Sequence, residues 1–205
     1  MTQCSKIGDI MRSHENENKI STIIQAAQSV FAELGYKKVT IDDVARKLDI
    51  ARSGLYHYFK NKEELFVAVL EYELMIYDNE LKTLIGQAHT SEEKLVAFGA
   101  AYLKFRRNFI NMYKLMHDDV SMNYEMINRI RAKVLSFHAN TIMKILKSDR
   151  ALARIPNINA ASHLMSQSLL GVVKNSADKN DTLLQNDIVY LCRIFYYGLS
   201  AMLSK

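Results

Sequence analysis

Tryptophan is absent from this 205-residue chain, proline occurs once (Pro156), and glycine only seven times. Little in the sequence therefore interrupts a helix, and the helix formers that dominate it point to an all-α protein. Cysteine is nearly as scarce. Cys4 and Cys192 are too few for a disulfide framework and lack the paired spacing of a zinc site, so a reducing cytoplasm is the expected compartment. No apolar run approaches the roughly 20 residues needed to cross a bilayer. The polar opening, MTQCSKIGDIMRSHENENK, lacks the apolar core of a signal peptide. The chain also lacks the constellations that mark an enzyme: a nucleophile–base pair, paired carboxylates, a glycine-rich phosphate loop or a metal set. His117, Asp118 and Asp119 are consecutive, but residues at that spacing do not share a helical face, so no metal is expected there. No cofactor and no membrane partner are expected.

What the sequence does contain is helical periodicity. Almost half the residues are apolar, enough for a core. Residues 1–17 read as a flexible N-terminal arm. A first helix follows from about Asn18 to Leu34, with Ile20, Ile23, Ile24, Ala27, Val30, Phe31 and Leu34 on one face. Gly35 offers the residue that a left-handed helix stop prefers. Thr40 and Asp43 form a capping-box pattern for a second helix, whose inner face is Ile41, Val44, Ala45 and Leu48. Asp42 and Asp43 also suit the positive end of its dipole. Asp49-Ile50-Ala51 is the turn. A third helix covers about Arg52 to Phe59, with Leu55 and Phe59 inward, and Asn61 with Glu64 caps a fourth.

Two short helices joined by a tight turn make a helix-turn-helix, and the charge agrees. The net charge is +5; residues 37–62 carry Lys37, Lys38, Arg46, Lys47, Arg52, Lys60 and Lys62 against Asp42, Asp43 and Asp49. A basic cluster alone is often just a solvated face. On a helix-turn-helix it is the expected phosphate-facing footprint. Such a motif lays the N-terminal end of its second helix against base edges in the major groove. Arg52, Ser53 and Gly54 occupy that end. Arginine can fork onto guanine, serine can reach a base or a phosphate, and glycine lets the backbone come close. Tyr56 and His57 lie on the outward side. Thr40 and Lys62 begin helices two and four, where phosphate can be gripped. Leu55, Phe59 and Leu65 read as core. Lys60, and Lys6 and Arg12 in the arm, read as solvated.

The segment AAQSVFAELGYKKVTIDDVARKLDIARSGLYHYFKNKEEL resembles the DNA-binding domain of TetR-type (TetR/AcrR family) transcriptional regulators, from Ile23 to Leu65. Phe31, Gly35, Thr40, Ala45, Ser53, Leu55, Tyr56, Phe59, Lys62 and Leu65 stand in that family's spacing. The resemblance implies DNA contacts at Thr40, Arg52, Ser53, Tyr56, His57 and Lys62. It further implies a homodimer, a small-molecule effector, double-stranded operator DNA as partner, and repression of transcription. The expected organisation is an arm (1–17), a three-helix helix-turn-helix domain (18–65), and a larger helical ligand-binding and dimerisation domain (66–205), about nine helices in all. The alternative is a helical enzyme or binding protein with an accessory DNA-binding segment.

Beyond Leu65 the readings rest on residue type. Further helices are expected over Asn61–Ile85, Ser91–Phe109, Asn111–Asp118, Asn123–Lys147, Asn159–Ala177 and Thr182–Ser204. Tyr102, Phe105, Phe109, Met112, Tyr113, Met116, Met126 and Met165 are the kind of adaptable apolar side chains that line a ligand pocket, and His117 and His138 could hydrogen-bond its occupant. A stripe of this kind also serves as plain core. The last helix carries Leu184, Ile188, Leu191, Phe195 and Leu199, with Ile194 and Tyr197 apolar elsewhere. The one before it offers Leu164, Ser168 and Val172. Two such helices from each of two subunits could form a four-helix dimer interface; the alternative is that both are core of one subunit, and the dimer is the favoured reading because a two-fold operator needs a two-fold protein.

Overall fold

A computed structural model describes residues 14–108, 124–174 and 181–203, with side chains at 18–105, 125, 128–172 and 182–203. Among the described residues there are eight α-helices and no strand: α1 (His14–Lys38), α2 (Ile41–Lys47), α3 (Arg52–Tyr56), α4 (Lys62–Gly86), α5 (Ser91–Asn108), α6 (Tyr124–Ser148), α7 (Ile158–Lys174) and α8 (Asp181–Met202). A 3-10 turn (Leu152–Arg154) lies between α6 and α7. The helix expected near Asn111–Asp118 falls outside the described residues. None of these helices is long and apolar enough to cross a membrane. The chain divides into two compact units, with the division after Glu73, inside α4.

The first unit is built on α1. Ile20, Ile23, Ile24, Ala27, Val30 and Phe31 are buried, as their spacing predicts. Leu34 departs from the expectation and is exposed, one residue before the break in the helix. Gly35 takes φ 76° and ψ 153°, a region essentially closed to residues with a Cβ. The backbone then resumes helical hydrogen bonding to Lys38. Val39, Ile41, Val44, Leu55, Phe59, Leu65, Phe66 and Val69 complete the core. Phe66 sits edge-on to Phe31 with ring centres 4.8 Å apart. Each such side chain contributes about 1.5–3 kcal/mol by leaving water. Gln28 donates a 3.1 Å hydrogen bond to Glu73, whose side chain is fully buried.

The second unit packs α5 on α8 and α6 on α7. Its core includes Tyr77, Leu81, Phe98, Tyr102, Phe105, Val134, Ile142, Met165, Leu169, Leu184 and Ile188. Gly99 lets α5 and α8 approach: a β-carbon there would lie 2.4 Å from Cγ2 of Ile188 and 3.0 Å from Sγ of Cys192. Thr90 and Glu93 cap α5 reciprocally, and the Glu93 carboxylate also accepts from the His89 amide. Pro156 shapes the entry to α7, since Ile155 before it is extended (φ −58°, ψ 124°).

Candidate nucleic-acid interface

Local chemistry sets the two helices of the motif. The Thr40 hydroxyl accepts the Asp43 amide at 3.3 Å, while the Asp43 carboxylate accepts both the Thr40 amide (2.8 Å) and hydroxyl (2.7 Å). This is the capping box that the sequence predicts. These bonds hold the Asp43 carboxyl below its usual range. The far end of α2 closes as a Schellman motif: the Ile50 amide donates to the Ala45 carbonyl (3.1 Å) and the Asp49 amide to that of Arg46 (3.2 Å). Asp49 takes φ 53°, the left-handed conformation that this closure needs and that aspartate tolerates better than most residues.

The chain re-enters a helix at Arg52. Leu55 is completely buried and Phe59 nearly so, which fixes the phase of α3. Arg52, Ser53, Tyr56 and His57 are exposed on the other side, and Gly54 is half-buried. A β-carbon at Gly54 would meet only Ile50, at 4.0 Å, so the fold itself does not demand glycine there. The helix is shorter than expected, ending at Tyr56 rather than Phe59. The Leu55 carbonyl accepts the amides of both Tyr58 and Phe59 at 2.9 Å, which winds the last residues into a turn.

Besides Thr40, the expected contact residues Arg52, Tyr56 and Lys62 have intramolecular hydrogen-bond partners. Arg52 Nη1 lies 3.2 Å from Asp42 Oδ2, and Nη2 donates to the Tyr56 hydroxyl at 3.0 Å. Lys62 Nζ donates to the Tyr36 carbonyl at 2.9 Å and stands 4.4 Å over the Tyr36 ring. Burial and the nearby Glu63 push the Tyr36 phenol up to about 12. Neither Asp42 as a partner of Arg52 nor Tyr36 as a platform for Lys62 is legible in the sequence, because each contact crosses a turn and follows no period. The Asn61 cap forms, accepting the Glu64 amide at 2.8 Å. The Glu64 carboxylate, however, accepts the amide of Lys60 rather than that of Asn61. Lys37, Lys38, Arg46, Lys47 and Lys60 are exposed. Lys6 and Arg12 lie outside the described residues.

In the second unit, the candidate ligand residues Tyr102, Phe105, His138 and Met165 are all buried. The imidazole of His138 is ringed by Tyr77, Phe98, Tyr102, Phe105 and Phe137, with centres 5.1–6.2 Å away. Its Nε2 is buried and has no hydrogen-bond partner among the described residues. Desolvation pulls its pKa down to about 3, so the ring is neutral. Phe109, Met112, Tyr113, Met116, His117 and the Met126 side chain fall outside what is described. Of the candidate interface residues, Leu184 and Ile188 are buried within the chain's own core. Ser168, Val172, Leu191, Phe195 and Leu199 are half-buried, and Leu164 is 58% exposed. The most exposed apolar residues on α8 are Leu183, Tyr190, Ile194, Tyr197 and Met202.

Comparison with known proteins agrees with this geometry. Residues 23–69 match the profile of the "Bacterial regulatory proteins, tetR family". The transposon Tn10 TetC protein of Escherichia coli is 33% identical over 75 residues, 35% of this chain and 38% of that protein's length. The HTH-type transcriptional regulator QacR of Staphylococcus aureus is 23% identical over 187 residues, covering 87% of this chain and 96% of QacR. Among solved structures, the regulator FadR from Bacillus subtilis in complex with stearoyl-CoA superposes with a TM-score of 0.60 at 20% identity, covering 88% and 97% of the two chains. Residues 23–69 thus match the DNA-binding domain of the tetR family of bacterial regulatory proteins, and along most of its length the chain is similar to an HTH-type transcriptional regulator.

Proposed function

We propose that this regulator acts in the cytoplasm as a homodimeric repressor, released from a palindromic operator by a small, largely apolar effector. The observation that carries the reading is the phase of α3, with Leu55 buried and Arg52, Ser53, Tyr56 and His57 outward. On this reading Arg52 and Ser53 meet base edges. Tyr56, His57, Thr40 and Lys62 hold phosphates or neighbouring edges, and Gly54 admits the backbone. Two copies related by a two-fold axis place their recognition helices about 34 Å apart, one turn of the duplex. The dimer surface is assigned to α7 and α8. The exposed Leu164, Leu183, Tyr190, Ile194 and Tyr197 supply its apolar contacts, and the half-buried Ser168, Val172, Leu191, Phe195 and Leu199 flank them.

The effector is assigned to the aromatic surroundings of His138. A neutral imidazole with an unanswered Nε2 beside Tyr102 and Phe105 suits an apolar molecule carrying one hydrogen-bonding group, and the buried Met165 stays in the proposed set on residue type. Phe109, Met112, Tyr113, Met116, His117 and Met126 stay in the proposed set on residue type alone. The long acyl chain of stearoyl-CoA, the ligand in the FadR structure, is consistent with an apolar effector. Coupling uses α4, which is one unbroken helix from Lys62 to Gly86 and contributes to both units. An effector that prefers one direction of α4 shifts DNA occupancy by its differential affinity, and a few kcal/mol suffices.

Selection from randomised duplexes tests the reading. It should return two inverted half-sites spaced by about one helical turn, bound by a particle of twice the chain mass. A monomer on a single half-site, or no sequence preference, contradicts it.

A further inference from the structure

Asp42 and Arg52 come from different helices of the motif and meet across the Asp49 turn, Oδ2 to Nη1 at 3.2 Å. The other carboxylate oxygen, Oδ1, is shielded from solvent and accepts no hydrogen bond from the described residues. The second arm of the guanidinium reaches the Tyr56 hydroxyl at 3.0 Å, and its carbon lies 5.3 Å from the Tyr56 ring centre. The arginine proposed to read a base is therefore held by a carboxylate on one side and a phenol on the other.

The fold gains little from this. Both side chains of the ion pair are about half exposed, and such pairs add little to stability. As a residue in the first turn of α2, Asp42 is already favoured by the helix dipole without Arg52. The consequence for DNA is larger. A free arginine beside a duplex gains from any phosphate it meets, whatever the sequence. With Asp42 beside it the charge of Arg52 is already answered, and the carboxylate repels a phosphate brought to the same place. A guanine edge differs: it offers two acceptors, O6 and N7, to the fork and brings no full negative charge.

We infer that Asp42 is a specificity-determining positioning residue, which withholds Arg52 from phosphates and releases it to a guanine edge. It thereby raises the ratio of operator affinity to random-sequence affinity while lowering affinity overall. The inference rests on the reading of α3 as the recognition helix.

The test uses the full chain, a duplex obtained by selection, and a scrambled duplex of equal length, across a range of salt concentrations. Asp42→Asn should bind the scrambled duplex about three- to tenfold more tightly. The salt slope on that duplex should steepen by about 0.9 for each arginine freed. Operator affinity should change less, so the ratio falls. In an Arg52→Ala background the same substitution should leave the ratio where it was. Asp42→Glu, which keeps the charge, should recover part of the wild-type ratio. If Asn unfolds the domain by circular dichroism, Asp42→Ser carries the same expectations. An unchanged ratio in Asp42→Asn overturns the role of Asp42 alone, as does an equal fall without Arg52. A wild-type protein with no sequence preference overturns both this role and the recognition-helix reading beneath it.

Discussion

The Lys62 ammonium donates a 2.9 Å hydrogen bond to the Tyr36 carbonyl and stands 4.4 Å over the Tyr36 ring. That carbonyl follows Gly35, where α1 breaks, so Lys62 ties the start of α4 to the end of α1. A lysine read from sequence as a phosphate contact thus also has a structural task. Lys62→Ala should lower stability by about 1–2 kcal/mol, the loss of a charged hydrogen bond and a cation–π contact. It should also weaken binding to all DNA alike and flatten the salt dependence. Thermal denaturation beside a salt titration checks both. An unchanged melting temperature would mean that Lys62 is free in solution.

Gly99 faces Ile188 and Cys192 where α5 crosses α8. Gly99→Ala places a methyl group inside van der Waals distance of both. The helices must separate or Ile188 must change rotamer, at a cost of about 1–3 kcal/mol. This outweighs the gain of up to about 1 kcal/mol that alanine brings to a helix interior. The variant should melt lower in chemical denaturation. A variant more stable than the wild type would show that the α5–α8 crossing is looser than described.

The aromatic ring around His138 predicts a pH dependence with a definite sign. Its folded pKa is depressed to about 3, whereas a histidine in an unfolded chain takes up its proton near pH 6.5. The unfolded chain therefore binds the extra proton first. The stability contributed by the neutral buried ring is complete above about pH 6.5 and is lost as pH falls toward 3, by at most roughly 1.4 kcal/mol per pH unit. His138→Phe keeps the apolar packing and removes the proton. Between about pH 7 and 4.5 the wild type should lose melting temperature more steeply than this variant; parallel curves would contradict the account.

Thr40 has both its amide and its hydroxyl bonded to Asp43. Thr40→Ala should fray α2 and lower the melting temperature, while Thr40→Ser, which keeps the cap, should stay near wild type. Equal loss in the two variants would point instead to the missing methyl group.

The parts of the fold visible in the sequence are those set by neighbours along the chain. Helical spacing announces the buried face of α1, and Thr40 with Asp43 announces the start of α2, because both act within one or two turns. Leu55 and Phe59 likewise give the phase of α3. Its length was not visible, since the end depends on which amides the Leu55 carbonyl accepts. Contacts across turns, such as Asp42 with Arg52, leave no periodic trace. On α8, inner and outer faces are both apolar: Leu184, Ile188 and Cys192 turn inward, while Tyr190, Ile194 and Tyr197 turn out. Composition does not separate the buried face of α8 from its exposed one; only the packing of α5 against α8 does.

If Arg52 reads a base, the Arg52→Ala variant should lose that reading. Binding measured against a panel of duplexes, each carrying one substitution in the selected site, should weaken about ten- to a hundredfold on the intact site. Preference should vanish at one symmetric pair of positions while persisting elsewhere. A variant that weakens uniformly and keeps its preference at every position would place Arg52 on the phosphate backbone and contradict the account.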